Sequence, residues 1–209
     1  MKSFRRKEYT PAEVMTFKNK ISRQEIEALP QGFFQGNIHL IDRHSSLKEA
    51  VEFLSRQKIL GFDTESRPSF RKGQHYAVSL LQLATDHDAF LFRLNRLGLP
   101  PSLKKILARS SILKVGVAIH DDLGKLNGLQ AFEPGAFHDL QHMAGQYGIE
   151  DRGLRKLAAI ILGIRVSKAQ QLSNWEGDEL TPAQLRYAAT DAWVCLAMYR
   201  RLTGQSEEE

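Results

Sequence analysis

Short apolar runs alternate with amphipathic stretches along most of this chain. Runs of mostly apolar residues, bounded by turn-forming residues, are typical of strands buried on both faces of a sheet. They predict strands over residues 38–41, 59–62, 78–84, 89–94 and 112–117. The segment Thr85-Asp86-His87-Asp88 joins the third and fourth runs, and this turn-like sequence predicts an antiparallel hairpin.

Several other stretches have the apolar periodicity of helices. They span about residues 47–54, 103–108, 154–162 and 182–202, and a further helix is predicted near Asp122. Capping boxes at Ser46-Leu47-Lys48-Glu49 and Thr181-Pro182-Ala183-Gln184 mark the start of the first and the last. Gly163 is a natural C-terminal cap for the third. The order of elements predicts an α/β protein, with a mixed sheet flanked by helices.

The length of 209 residues favours one domain with a substantial core. Residues 1–36 combine basic side chains with Pro11, Pro30, Gly32 and Gly36, which predicts an N-terminal arm lying over the core. The core domain is predicted over residues 37–204, followed by an acidic tail at residues 205–209.

Composition narrows the class of protein. Hydrophobic residues make up 42% of the chain and charged residues 25%, and no apolar run approaches the length of a membrane span. We expect no membrane partner. Cys195 is the single cysteine, so an internal disulfide is impossible, and no secretory signal is visible. Both observations favour the cytoplasm. The net charge of +5 is compatible with a nucleic-acid partner but is weak evidence for one.

Acidic side chains stand at positions where a fold without a function would favour apolar or neutral residues. Asp63 and Glu65 follow a buried strand, and residues two apart on a strand share a face, so the two carboxylates repel unless a cation lies between them. Taken alone, Asp63 as a turn cap and Glu65 in a surface ion pair explain the pair equally well. Tyr187 and Asp191 lie one helical turn apart, where a core aromatic and a surface acid are the simpler interpretation.

Three segments resemble the motifs of a known family. FDTES, VGVAIHDDLGKL and LSNWEGDELTPAQLRYAATDAW are similar to the three motifs of the RNase D and Werner-type 3′–5′ exonucleases, in the subgroup with tyrosine in its third motif. The resemblance runs from about residue 38 to residue 202. It implies an RNase H-like (DnaQ-like) exonuclease fold, with a five-stranded mixed sheet and helices on both faces.

The resemblance also implies a catalytic site. Its acidic residues are Asp63, Glu65, Asp122 and Asp191, and Tyr187 completes it. Two Mg²⁺ or Mn²⁺ ions are expected, because these hard cations prefer carboxylate oxygens. One ion is expected on Asp63, Glu65 and Asp191, and the other on Asp63 and, through solvent, Asp122. In this scheme Tyr187 orients the attacking water.

Other residues of the motifs leave alternatives open. Asp121 is the minor alternative to Asp122 as a ligand, and is otherwise expected to cap the helix start. Lys168 is a candidate phosphate contact near the site, with solvated surface as an almost equal interpretation. Arg67 is a similar candidate, as are the neighbouring Arg71 and Lys72. His138 and His142 have the spacing of a helical zinc site but lack its glutamate.

The expected function is metal-dependent hydrolysis of DNA or RNA from a single-stranded or frayed 3′ end, releasing nucleoside 5′-monophosphates. A nucleic-acid-binding module without useful turnover is one alternative. A phosphodiesterase for small nucleotides, which the same metals would serve, is another. The sequence does not distinguish DNA from RNA, because that choice depends on contacts to the sugar 2′ position.

Overall fold

The computed structural model describes residues 16–71 and 73–205. The first part of the predicted arm, Lys72 and most of the predicted acidic tail lie outside these residues. One six-stranded mixed sheet forms the centre of the fold, in the order β1-β4-β3-β2-β5-β6. The strands are β1 (Asn37–Ile41), β2 (Ile59–Ser66), β3 (Val78–Ala84), β4 (Asp88–Arg93), β5 (Leu113–Gly116) and β6 (Phe137–Asp139).

All five predicted strands are present, and β3 and β4 form the predicted antiparallel hairpin. The central strand β2 pairs antiparallel with β3 and parallel with β5. The sheet has one strand more than expected, because β6 has three residues and too few apolar positions to give a strand pattern. The sheet with its flanking helices agrees with the α/β class predicted from the sequence.

The helices cover both faces of the sheet. They are α1 (Arg23–Ala28), α2 (Leu47–Leu54), α3 (Leu94–Leu97), α4 (Pro101–Ala108), α5 (Ile119–Leu129), α6 (Leu140–Gln146), α7 (Leu154–Leu162) and α8 (Pro182–Thr203), with a 3-10 turn at His44–Ser46. Helix α8 begins with the predicted capping box between Thr181 and Gln184. Helix α7 ends at Gly163, whose φ of 67° is easily reached only by glycine.

One predicted cap is wrong. Ser46 does not cap α2 with its side chain, because the preceding residues already turn as a 3-10 helix and place Ser46 itself in the right-handed helical region. The chain therefore enters α2 without the extended backbone that a capping box requires.

The longest helix, α8, packs across β2 at very short range. A Cβ atom added to Gly61 of β2 would lie 2.0 Å from the carbonyl oxygen of Ala192. Only glycine permits this approach, and it brings the neighbouring Asp191 to the level of Asp63. Trp175 and Cys195 are fully buried in the core clusters that include residues of α8.

The described part of the N-terminal segment is attached to the core. Ile21 and Ile26 bury their side chains against Ala159 of α7. The backbone N–H of Phe34 donates a hydrogen bond of 3.1 Å to the hydroxyl of Thr190 on α8. Residues 16–36 thereby place α1 beside the end of the sheet where the acidic side chains converge. Within the described residues, no helix has the length and apolarity that crossing a membrane requires.

Candidate active site

The first pair of acids lies on an open edge of β2. Strand β5 pairs with β2 only as far as Gly61, and then leaves the sheet after Gly116. The backbone turns through the left-handed conformation of Ala118, with a φ of 57°, into α5. Beyond Gly61, β2 therefore lacks a neighbour on this side. Asp63 and Glu65 project from this free stretch toward α8, on the same face as Gly61.

Helix α8 supplies the third acid. The carboxylates of Asp63, Glu65 and Asp191 each offer an oxygen within 4.8 Å of the others. Asp191 is buried, and its Oδ1 has no hydrogen-bond partner. Among residues 16–71 and 73–205, no other group of three or more histidine, cysteine or acidic side chains meets in this way. The helical zinc site is thus absent from the described residues, and His138 lies in β6, before the helix that carries His142.

Asp122 lies beside this trio but not within it. It occupies the first turn of α5, and its Oδ1 accepts a hydrogen bond of 2.6 Å from the hydroxyl of Thr64. Its negative charge still acts on the trio and raises the pKa of both Asp63 and Glu65. The structure therefore brings all four acids to one end of the sheet.

The expectation that Asp121 caps α5 is wrong. Asp121 is an exposed residue within the first turn of the helix. The carboxylate of Asp139 takes the capping role instead, because it accepts hydrogen bonds from the backbone N–H groups of Ala118 and Ile119, each 3.2 Å long. This contact fixes the start of α5, and with it the position of Asp122.

Burial and mutual repulsion make these acids hard to ionise. Burial is the largest cause of the raised pKa of Asp63, followed by the charges of Asp191 and Asp122. Burial and the charge of Asp63 likewise raise the pKa of Glu65. The pKa of Asp191 rises to about 7 through burial, although Tyr187 and Arg155 both act to lower it. A cation among these oxygens would remove the repulsion that keeps them protonated.

The donors present fit a divalent cation with a preference for oxygen. All three trio side chains offer carboxylate oxygens, and Asp191 keeps one buried oxygen without a protein partner. Tyr187 lies next to this group, and burial together with the charges of Asp191 and Glu65 raises its pKa far above the ordinary value for a phenol. It therefore stays neutral at any physiological pH.

The acids open into a cleft of about 860 Å³. The trio and several basic side chains line this cleft together, and Glu27, which pairs with Arg23, lines it as well. The basic side chains that line it are Arg23, Arg152, Arg155, Lys156 and Lys168. Lys168 thus lines the same cleft as the trio. Arg67 and Arg71 do not line it; they line a separate hollow, where the Arg67 guanidinium lies 3.5 Å from Glu176 and 5.1 Å from the Tyr76 ring centre.

We call the five basic side chains that line the cleft the basic wall, and most of them were not predicted from the sequence. Arg23 lies on α1, while Arg152, Arg155 and Lys156 surround the start of α7, outside all three motifs. The density of cations over residues 151–156 was the available signal. Arg155 acts on the trio directly, because its charge lowers the pKa of Asp191. Its Nε also donates a hydrogen bond of 2.7 Å to the carbonyl of Val166.

Comparisons with known proteins agree with this site and fold. A family model described as 3′-5′ exonuclease matches residues 38–207. Exonuclease 3′-5′ domain-containing protein 2 of Drosophila melanogaster is 36% identical over 160 residues, covering 75% of this chain and 27% of that protein. This chain therefore spans about a quarter of the length of that relative.

Solved structures show the same architecture. The Nibbler EXO domain of Aedes aegypti matches with a TM-score of 0.74 and 27% identity, covering 83% of this chain and 92% of that chain. Trypanosoma brucei RNase D in complex with RNA U12 has a TM-score of 0.74 at 22% identity, covering 83% of this chain and 65% of that one, which shows a shared fold. The fold is the RNase H-like exonuclease fold expected from the motifs, and the chain belongs to the 3′–5′ exonuclease family.

Proposed function

We propose that this chain is a metal-dependent 3′–5′ exonuclease, which hydrolyses the terminal phosphodiester of a nucleic acid and releases a nucleoside 5′-monophosphate. One observation carries the proposal. Three carboxylates from β2 and α8 meet within 4.8 Å in a cleft that basic side chains also line. Carboxylates bind divalent metal ions, and basic side chains bind phosphates. Both kinds of group serve the hydrolysis of a phosphodiester.

Metal binding is assigned to the four acids of the motifs. Asp63, Glu65 and Asp191 would hold one Mg²⁺ or Mn²⁺ ion, and Asp63 with Asp122, through solvent, would hold the second. When bound, such ions supply Lewis-acid stabilisation of the phosphoryl oxygens and a more acidic water. The buried Oδ1 of Asp191, which has no hydrogen-bond partner, supports this assignment, because a buried carboxylate oxygen left unsatisfied is costly.

Tyr187 is assigned the orientation of the attacking water. Its phenol lies beside Asp191 in the cleft wall, and its raised pKa keeps the hydroxyl protonated. A neutral phenol is a poor proton acceptor at neutral pH but a good hydrogen-bond partner for a water molecule. Orientation of the water is therefore the role that its chemistry supports.

The basic wall is assigned to the phosphates of the substrate. Lys168 belongs to the loop before α8, and Arg152 and Lys156, near the start of α7, line the same cleft. Side chains of both signs across one cleft would hold an anionic strand with its terminal phosphodiester against the acids. The trypanosomal RNase D was solved with RNA. RNA and DNA strands are therefore both to be tested as substrates of this chain.

The test is trimming of 5′-labelled DNA and RNA oligonucleotides of identical sequence, with Mg²⁺, with Mn²⁺ and with EDTA. We expect a ladder that shortens from the 3′ end, release of nucleoside 5′-monophosphates, and loss of both with EDTA. Binding without a ladder would instead identify a nucleic-acid-binding module. Cleavage of dinucleotides with intact long strands would identify a small-nucleotide phosphodiesterase.

A further inference from the structure

A buried arginine lies at the same level of the sheet as the trio. Leu80 of β3 pairs with Glu65 of β2 on one side and with Arg93 of β4 on the other. Residues paired across neighbouring strands share a face of the sheet, so Arg93 lies on the face that carries Glu65. Two strand spacings put the two residues about 10 Å apart. Only 1% of Arg93 is exposed, so a cation is buried close to the acids.

The Arg93 guanidinium binds the loop before α8. Its Nη1 donates a hydrogen bond of 2.7 Å to the carbonyl of Asp178, and its Nη2 donates to the carbonyl of Gly177. Arg96 of α3 also donates to the Asp178 carbonyl, and it pairs with Asp42 at 3.3 Å. Burial and the charge of Arg96 lower the pKa of Arg93, so a buried cation here has a cost that its hydrogen bonds must offset. The planar guanidinium holds two consecutive carbonyls at once, which the single ammonium of a lysine does not.

This loop packs Trp175 against Tyr187. Asn174 closes the loop into a turn, because its side-chain oxygen accepts a hydrogen bond of 3.2 Å from the backbone N–H of Glu176, and its carbonyl accepts one of 3.4 Å from that of Gly177. Trp175, inside this turn, is fully buried. The ring centres of Trp175 and Tyr187 are 6.0 Å apart, with 38° between the ring planes, as in favourable aromatic pairs. The indole therefore supports the phenol that lines the cleft.

Other contacts of the turn are longer or more exposed. The side-chain amide of Gln184 donates a hydrogen bond of 3.3 Å to the carbonyl of Asn174, and Glu176 pairs with the exposed Arg67 at 3.5 Å. Exposed ion pairs contribute little to the position of a loop. Gln184 belongs to the first turn of α8, so its bond ties the turn to the helix and not to the sheet. Arg93 is thus a buried connection between the turn and the sheet that carries two of the acids.

We propose that Arg93 is a positioning residue for Tyr187. By fixing the carbonyls of Gly177 and Asp178 to the sheet, it holds Trp175 against the phenol ring and so sets the direction of the hydroxyl toward the attacking water. This inference rests on the proposed exonuclease function and adds to it a residue outside the three motifs. Loss of Arg93 leaves the trio in place, so it lowers kcat while the metal requirement and the KM stay the same.

The experiment is a double-mutant cycle on the trimming of a single-stranded oligonucleotide. Arg93→Met removes the donors and is expected to lower kcat about tenfold, with the KM and the Mg²⁺ concentration for half-maximal rate within about twofold of the wild type. In the Tyr187→Phe background the same change is expected to lower kcat by less than about twofold, because the group that Arg93 positions is already lost. Arg93→Lys keeps the charge without the planar fork, so an intermediate kcat is expected, and it carries the same cycle if Arg93→Met does not fold.

Two further measurements separate positioning from a general loss of stability. Arg200→Gln is the matched control, because Arg200 is also buried and pairs at 2.7 Å with Asp86, in the turn at the other end of β3. We expect it to lower the melting temperature and to keep kcat within about twofold of the wild type. Acrylamide quenching of Trp175, in a protein with Trp193→Phe, is read without turnover. The quenching constant is expected to rise about twofold or more in Arg93→Met and to stay unchanged in Arg200→Gln.

An equal loss of kcat from Arg93→Met in the wild-type and Tyr187→Phe backgrounds would overturn the inference and leave the proposed function standing. A raised Mg²⁺ requirement would also overturn it, because Arg93 would then act on the trio. So would an equal loss of kcat in Arg200→Gln, since any buried arginine would then have the same effect. Absence of trimming by the wild-type protein overturns the proposed function instead, while unchanged quenching in Arg93→Met would separately show that Arg93 does not hold Trp175.

Discussion

The hydroxyl of Thr64 donates a hydrogen bond of 2.6 Å to Oδ1 of Asp122. Thr64 stands between Asp63 and Glu65 on β2, and the alternation of a strand directs its side chain away from the face that carries those acids. The bond therefore ties the acid of α5 to the strand that carries the trio. It also lowers the pKa of Asp122 against the effect of burial.

Loss of this bond is expected to weaken the contribution of Asp122. Thr64→Val keeps the shape of the side chain but leaves the carboxylate without its donor. We expect the Mg²⁺ concentration needed for half-maximal trimming to rise about tenfold, because a hydrogen bond to a charged group contributes about 1.5–3 kcal/mol. Thr64→Ser retains the hydroxyl and is the control. Equal metal requirements in the two variants would deny the bond this role.

Stability without metal is expected to fall as the pH rises. The pKa values of Asp63, Glu65 and Asp191 are raised in the folded protein. Above the unfolded value of about 4, the unfolded chain loses protons that the folded chain keeps, so ionisation favours unfolding. In EDTA we expect the free energy of unfolding to decrease from about pH 4 through neutral pH, by about 1.4 kcal/mol per pH unit for each carboxyl that is protonated only in the folded state.

Two conditions should reverse this trend, and thermal melts at several pH values check both. Mg²⁺ or Mn²⁺ should restore stability at pH 8, because cations bind the ionised form in the folded state only. Asp63→Asn should melt higher than the wild type in EDTA at that pH, while losing the response to metal. Asp121→Asn, which changes an exposed neighbour of Asp122, is the control. A metal-free melting temperature that rises with pH would contradict the account of the trio.

Tyr187→Phe is expected to slow turnover about ten- to hundredfold, because the water loses the group that orients it. The metal concentration needed for half-maximal rate should stay nearly constant, since the trio is intact. Tyr147→Phe is the matched control, because the Tyr147 hydroxyl donates to the carbonyl of Leu202, outside the cleft lining. Steady-state rates at saturating metal provide the comparison, and a wild-type kcat in Tyr187→Phe would remove the assigned role.

The close approach of α8 to β2 gives a further prediction. Gly61→Ala would place a Cβ 2.0 Å from the Ala192 carbonyl oxygen, so the helix must shift. We expect a loss of about 1–3 kcal/mol in the free energy of unfolding, together with reduced trimming, because Asp191 moves with the helix. Gly128→Ala in α5, where a Cβ meets nothing within 4 Å, should instead stabilise by about 0.5–1 kcal/mol. Denaturant titrations that rank the two variants in the opposite order would refute this packing argument.

Local sequence patterns were sufficient to predict features that lie within a single strand or helix. The strand alternation of Asp63 and Glu65, the helical spacing of Tyr187 and Asp191, and the capping box at Thr181 all appear in the structure as predicted. Even here, the meeting of strand and helix required the resemblance of three motifs, since spacing alone left the simpler interpretations open.

Long-range pairing was not predictable in the same way. Asp139 caps the start of α5 although it lies 20 residues from Ile119 in the sequence. Arg67 pairs with Glu176, which is 109 residues away in the sequence. Neither partner is marked by a local pattern. Arg23 of α1 reaches the cleft because residues 16–36 pack along α7 and α8, whereas the basic residues around the start of α7 reach it because α7 itself packs on α8.

Titration of the protein with Mn²⁺ by calorimetry, at a pH where the trio can ionise, tests the central claim most directly. We predict saturable binding to the wild-type protein, and loss of that binding in both Asp63→Asn and Asp191→Asn, with folding confirmed by circular dichroism. Unchanged Mn²⁺ binding in these two folded variants would contradict the claim that β2 and α8 together build the metal centre.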